Sequence, residues 1–185
     1  YSPFRYPGGK TWLVPHALRW LSRKGIKPKE LIEPFAGGAI VGLSVLFSGL
    51  CEKLILVEMD ENVGSVWSTI LNGGGGRLAE RICSFNISIE SVQEVLSKPA
   101  KTKYARAFAT IVKNRVHRGG ILAPGASFMK NGENGKGLAS RWYPETLKQR
   151  ILRIVSVKDR IQFIQGDAFE ILLKKRRNPN AVFFI

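Results

Sequence analysis

A chain of 185 residues suffices for one domain with a real core, or for one domain carrying an insertion. Its 44% hydrophobic content fits a globular protein, no apolar run reaches the roughly 18 residues of a membrane helix, and two histidines are too few for a metal site built on them. The 29 Lys and Arg against 14 Asp and Glu leave a net charge of +15, twelve of it in residues 98–160, where fifteen basic residues face only Glu133, Glu145 and Asp159. Such a segment attracts a polyanion in a salt-dependent way, the alternative being a solvated basic face.

In chain order, Phe4-Arg-Tyr-Pro-Gly-Gly-Lys10 reads as a turn that brings backbone close to a ligand, and Lys10 to Arg23 as a helix with Pro15 near its start. His16 in that helix reads as a packed or surface residue rather than a catalyst. Gly25 and Pro28 stop it. Leu31 to Pro34 is then an apolar strand that runs into Gly37 and Gly38 and on into an apolar helix, Ile40 to Phe47. The spacing is that of the opening turn of a nucleotide-type fold, although a glycine pair by itself also makes a plain tight connection. A second buried strand, Lys53 to Glu58, ends in a carboxylate about twenty residues on, where a ribose hydroxyl pair is held in such folds. Together they predict a ligand carrying adenosine.

Asp60-Glu-Asn62 starts the next helix, and Asn72 with the glycines to Gly76 predicts its end and a flexible boundary. The pattern then changes. Arg77 to Ser97 reads as two short helices and Thr102 to His117 as a firmer one, with Tyr104, Phe108, Ile111 and Val112 on one face. Arg118 to Trp142 is a long glycine-rich loop carrying Arg118, Lys130, Lys136 and Arg141 beside Phe128 and Trp142, a combination suited to phosphate contact and base stacking. The other reading of Trp142 is an anchor that ties a surface loop to the core.

Glu145 to Val155 returns to helix, Ile161 to Gln165 is a third strand, and Gly166-Asp167-Ala-Phe169 again delivers an acid at a strand end. Asp167 either accepts from an adenine amino group, with Phe169 flanking the ring, or caps the following helix. Lys174 to Arg177 reads as a helix end and solvated loop, and Ala181 to Ile185 as a fourth strand. In an open α/β sheet the chemistry lies beyond the carboxyl ends of the strands, so a chain that stops on a strand is expected to continue. Cys51 and Cys83, with no C-x-x-C spacing, read as reduced core residues of a cytoplasmic protein.

Taken together, Tyr6-Pro-Gly-Gly-Lys10, Glu33-Pro-Phe-Ala-Gly-Gly38, the strand ending at Glu58, Asn114-Arg115 before a basic loop and Gln165-Gly-Asp-Ala-Phe169 resemble the Dam-like DNA adenine methyltransferases over nearly the whole chain. The resemblance implies an α/β, Rossmann-like methyltransferase fold with a partial parallel sheet. It implies a cofactor-binding part in residues 1–71, an inserted helical target-recognition region in 72–155, and a return to the methyltransferase domain in 156–185. It implies S-adenosyl-L-methionine (SAM) as cofactor, contacted by Tyr6, Gly9 and Lys10, with Phe35, Gly37, Gly38 and Ala39 around its methionine part. Glu58 would hold the ribose, and Asp167 and Phe169 would frame the adenine. Asn114, Arg115, Arg118, Lys130 and Arg141 become candidate contacts to double-stranded DNA, and a cognate restriction endonuclease is an allowed partner. Neither a metal nor a membrane is implied. In the family the fourth strand leads into Asp-Pro-Pro-Tyr, so the catalytic residues are expected just after Ile185 and none before it.

Two other readings remain. One is a SAM-fold nucleic-acid-binding module without turnover; the other, a nicotinamide-dependent dehydrogenase, has against it the missing G-x-G-x-x-G and the basic insertion. RNA shares the phosphate attraction.

Overall fold

The computed structural model describes residues 1–5, 9–23, 25, 27–123, 125–128 and 137–185. Its helices in chain order are α1 (Val14–Arg23), α2 (Ile40–Phe47), α3 (Glu61–Thr69), α4 (Gly75–Ser84), α5 (Ile89–Ser97), α6 (Lys103–Val116), α7 (Pro144–Val155) and α8 (Ala168–Lys175). The strands are β1 (Glu30–Glu33), β2 (Lys53–Glu58), β3 (Ile161–Gln165) and β4 (Ala181–Phe183). Two compact units result, one of Tyr1–Ser2, Gly8–Gly64 and Val157–Ile185, the other of Pro3–Pro7 and Ser65–Ser156. The residues 3–7 that join the second unit come from a stretch read with the first in the sequence.

The first unit is α/β. Its strands are all parallel in the order β3-β2-β1-β4, an arrangement compatible with a Rossmann-like fold. Strand order reverses between β1 and β4, which places the switch point of the sheet beside the carboxyl end of β1. A parallel sheet needs cover on both faces, and the continuous apolar run Leu54–Val57 meets that need by alternation. Ile32, Ile55 and Val57 face one side and pack with Ile164, Ile171, Ala181 and Phe183. Leu54 turns to the other side, where its side chain lies against Gly42 of α2.

Local chemistry explains most element ends. Asp60 accepts from the N–H groups of Asn62 and Val63 at 2.8 and 2.9 Å and so starts α3. Thr102 does the same for α6 through Ala105, and Ser88 and Ser91 form a reciprocal box at the start of α5. The helix predicted over Lys10 to Arg23 is divided: Lys10–Leu13 is a tighter 3-10 turn, and α1 follows. Pro15 has no N–H to donate to the Thr11 carbonyl, and Val14 takes that carbonyl in the tighter pattern.

The second unit is helical, built on α4, α6 and α7 around buried Trp67, Ile70, Leu78, Ile82, Phe108, Ile111, Leu147, Ile151 and Ile154. The glycine run at 73–76 is not the flexible boundary expected of it. Gly73 makes the turn at φ 89°, but Gly75 is packed so closely that an added Cβ would come within 2.5 Å of Val155 Cγ2, and α4 begins there. The division between units falls earlier, after Gly64 within α3. Lys174 to Arg177 also differs from a solvated run, because Lys175 pairs with Glu30 at 2.8 Å while Asn178 donates to the same oxygen. Among the described residues no helix is long and apolar enough to cross a membrane.

Candidate functional site

The carboxyl edge of the sheet collects most of the cofactor residues expected from the sequence. After β1 the chain turns through Phe35 to Ala39, with Gly37 at φ 45° and Ala39 at φ 49°. Ala39 is the one non-glycine residue with positive φ among the described residues, and strain of this kind costs about 1–2 kcal/mol. Two ties hold the turn against β2. Ala36 donates to the Val57 carbonyl at 3.0 Å, and Gly37 donates to Glu58 Oε2 at 2.9 Å. The other Glu58 oxygen accepts from Asp60 N–H at 2.9 Å. Glu58 therefore joins the first turn to the end of the second strand, and two of its roughly four lone-pair directions are in use.

At the end of β3, Gly166 donates to the Glu58 carbonyl at 3.1 Å, and Asp167 Oδ1 caps α8 by accepting from Phe169 N–H at 2.8 Å. The capping role anticipated as one alternative for Asp167 is thus present, with its second oxygen left over. Phe169 stands 63% exposed and Phe35 51% exposed, their rings edge to face with centroids 5.8 Å apart. Two large aromatics meeting edge to face at a strand edge in contact with water form an apolar corner that the core does not use.

Glu33 is a residue of this edge that the site list from the sequence omits. It is buried, and its Oε2 accepts from Gly42 N–H in the first turn of α2 at 2.9 Å. Ala39, at the N-cap of α2, has no side-chain acceptor, so Glu33 supplies the cap from the preceding strand. A Cβ at position 42 would lie 2.5 Å from that oxygen, so glycine is required there. Burial pushes the Glu33 carboxyl up to about 7, against the opposing pull of the Gly42 bond and of Lys10. Lys10 itself sits with Nζ 5.0 Å from the centre of the Phe184 ring, beyond β4, and Gly9 precedes it as the start of the 3-10 turn. The readable signal for Glu33 was an acid at a strand end followed by a helix whose own cap position is alanine.

The DNA candidates separate into buried and exposed groups. Asn114 is 0% exposed; its Oδ1 accepts from Arg5 N–H at 2.9 Å, and its Nδ2 donates to the carbonyls of Arg5 and Gly120 at 2.8 and 2.7 Å. Arg115 is 3% exposed and donates from Nη2 to the Pro3 carbonyl at 2.8 Å, while its Nε has no partner among the described residues. In this structure both residues hold the second unit together and neither offers its side chain to the surface. Burial, then Arg150 and Arg5, push the Arg115 guanidinium down to about 9. Arg5 is also lowered, by burial and then by Arg141. These guanidiniums lie within electrostatic reach of one another, and among the described residues no carboxylate figures in the groups acting on Arg115 or Arg5.

Arg118 is exposed, directly after α6, and Arg141 is half-buried at the end of a 3-10 turn, Gly137–Arg141. Trp142 is not free to stack on a base. It is buried against Phe85, with ring centres 5.6 Å apart, which is the anchoring alternative. Phe128 meets His117 edge to face at 5.3 Å. Tyr6 and Lys130 lie outside the described residues. Cys51 is buried and Cys83 half-buried, both as free thiols. Among the described residues no group of three or more His, Cys, Asp or Glu is placed to hold a metal ion. No protein-family model matches the chain and no curated protein matches it, so its role has to be read from these residues.

Proposed function

We propose that the chain serves SAM-dependent methylation of adenine in DNA, with the first unit holding the cofactor and the second meeting the nucleic acid. The observation that carries the reading is the meeting of a glycine turn, an acid and an exposed aromatic pair at the carboxyl edge of one parallel sheet. The residues fit an adenosyl group. Glu58 keeps two acceptor directions for a vicinal diol, and Asp167 keeps one oxygen for an amino group. Phe35 and Phe169 offer the apolar face that an adenine ring needs, and Lys10 at the switch point is a counter-charge for the methionine carboxylate.

When bound, SAM supplies a methyl carbon activated by its sulfonium. The protein's part is orientation: the turn of Phe35 to Ala39 fixes one end of the ligand and Glu58 the middle, and such positioning is a major source of rate acceleration. The basic surplus of residues 98–160, with Arg118 exposed, favours an anion nearby, which supports phosphate backbone as partner of the second unit. Extracting a base from the duplex costs a few kcal/mol, which backbone contacts and stacking offset.

Calorimetric titration with SAM, S-adenosylhomocysteine and a nicotinamide dinucleotide tests the first half. Heat with the two adenosyl-sulfur ligands and none with the dinucleotide is expected. Transfer of labelled methyl to duplex DNA and to structured RNA tests the second half. A chain extended past Ile185 through the expected Asp-Pro-Pro-Tyr that binds SAM and duplex but transfers nothing favours the module without turnover, and a chain that binds neither overturns the proposal.

A further inference from the structure

Apart from the residues already discussed, the surface of the second unit carries a ladder of arginines laid on aromatic rings. Arg77 of α4 lies over the Tyr104 ring of α6 at 4.6 Å from its centre. One turn on, Arg81 lies 5.5 Å from the same ring and 3.9 Å from the centre of Phe108. The Tyr104 hydroxyl donates to the Arg77 carbonyl at 3.1 Å, which ties the ring to α4. Phe108 is itself buried and meets Phe85 edge to face at 5.2 Å, so the ladder has a rigid base.

The N–H edges of these guanidiniums are the informative part. Among the described residues neither Arg77 nor Arg81 donates to a carboxylate, a carbonyl or another side chain. The acid between them, Glu80, is held by Lys148 of α7 at 2.8 Å. Lys101 and Lys103, at the start of α6, are exposed and likewise without a carboxylate partner among the described residues. A guanidinium stacked on a ring keeps its planar fork free at the rim and has already lost most of its rotational freedom, which lowers the ordering cost of binding a phosphate. Two such forks one helical turn apart stand about 6 Å from each other along α4. Lysines on flexible stems beside them add charge without geometry.

We propose that Arg77 and Arg81, set by Tyr104 and Phe108, form a contact surface for the backbone phosphates of duplex DNA, outside the loop that carries Arg118 and Arg141. The surface reads no bases. It lengthens the bound stretch of duplex and fixes its direction on the protein. The inference rests on the proposed DNA reading and adds to it a second, sequence-independent contact.

The test is fluorescence anisotropy of the whole chain with a short and a long duplex over a range of salt. Arg77→Gln leaves every buried ring in place, and with the long duplex it lowers the slope of log affinity against log salt by about one; Arg77→Gln with Arg81→Gln lowers it by about two. SAM titration of each variant checks that the fold is intact. Arg77→Lys, which keeps the charge but not the planar fork, is expected to keep the slope and bind more weakly. A parent that binds duplex and an Arg77→Gln variant with the same slope and affinity overturn this inference alone. A parent that binds no duplex overturns the DNA reading and this inference with it.

Discussion

Glu33 in the sheet unit and Arg115 in the helical unit are both ions taken out of water, and their surroundings treat them differently. Glu33 receives a backbone N–H from Gly42 and lies close to neutrality, its carboxyl pushed up to about 7. Arg115 donates to one carbonyl, keeps an unpaired Nε and has other arginines as its electrostatic neighbours. A carboxyl can take up a proton when its site is too dry, whereas a guanidinium stays charged near neutral pH and needs an anion. Glu33 thus settles its burial by taking up a proton, whereas Arg115 keeps its charge inside the helical unit on one carbonyl bond.

The largest expected effect lies in the helical unit. Asn114→Ala removes three hydrogen bonds, one buried and two part-buried, that tie Arg5 and Gly120 to α6, and leaves their backbone groups without that partner. A loss of roughly 3–5 kcal/mol in urea unfolding is expected. A loss below about 1 kcal/mol would show that Asn114 is a surface contact and not a structural knot.

Glu33 sharpens the comparison through pH. Its folded carboxyl titrates near 7 against an ordinary 4.5, so the folded state binds the proton more tightly. Stability is therefore fully present below about 4.5 and declines as pH rises to about 7, by about 3 kcal/mol from this group. Glu33→Gln should flatten that part of the stability curve, measured by urea midpoints across the same window. An unchanged curve would break the contrast with Arg115.

Glu58→Ala comes next. The N–H groups of Gly37 and Asp60 lose their acceptor, but both lie near water, so about 1–2 kcal/mol of stability is expected to go. On the proposed reading SAM affinity, by contrast, should fall more than tenfold in calorimetry, because the diol loses the carboxylate assigned to it. Phe169→Ala is the smallest change to the fold. The ring is mostly exposed, and stability should shift by less than about 0.5 kcal/mol while SAM binding weakens by about 1–3 kcal/mol. Equal affinity in parent and variant would remove the aromatic pair from the site.

How much of this was legible depended on the range of the interactions. β2 over Lys53–Glu58 and β3 over Ile161–Gln165 match their apolar runs, and α2 follows its glycine turn as read. Asp60, Thr102 and Asp167 act on N–H groups within three residues, which is why their capping chemistry shows in the sequence. The turns and acids at the carboxyl edge of the sheet were legible for the same reason, since each strand delivers its own. Arg115 follows Ile111 by four residues and Phe108 by seven, so helical spacing already set it on the apolar face; its partner was not legible, because that is the carbonyl of Pro3, more than a hundred residues away. Trp142 was open between stacking on a base and anchoring a loop until Phe85 came to meet it.

What the sequence by itself determined was the succession of strands and helices, the turn after β1 and the basic character of residues 98–160, all set by local propensity, spacing and composition, whereas the parallel strand order is a product of long-range pairing. The tertiary structure decided which of the basic residues face water. On α6, Lys103, Arg106 and Lys113 share one arc while Arg115 falls among Phe108, Ile111 and Val112, and it is long-range packing that supplies the Pro3 carbonyl on which the enclosed charge rests.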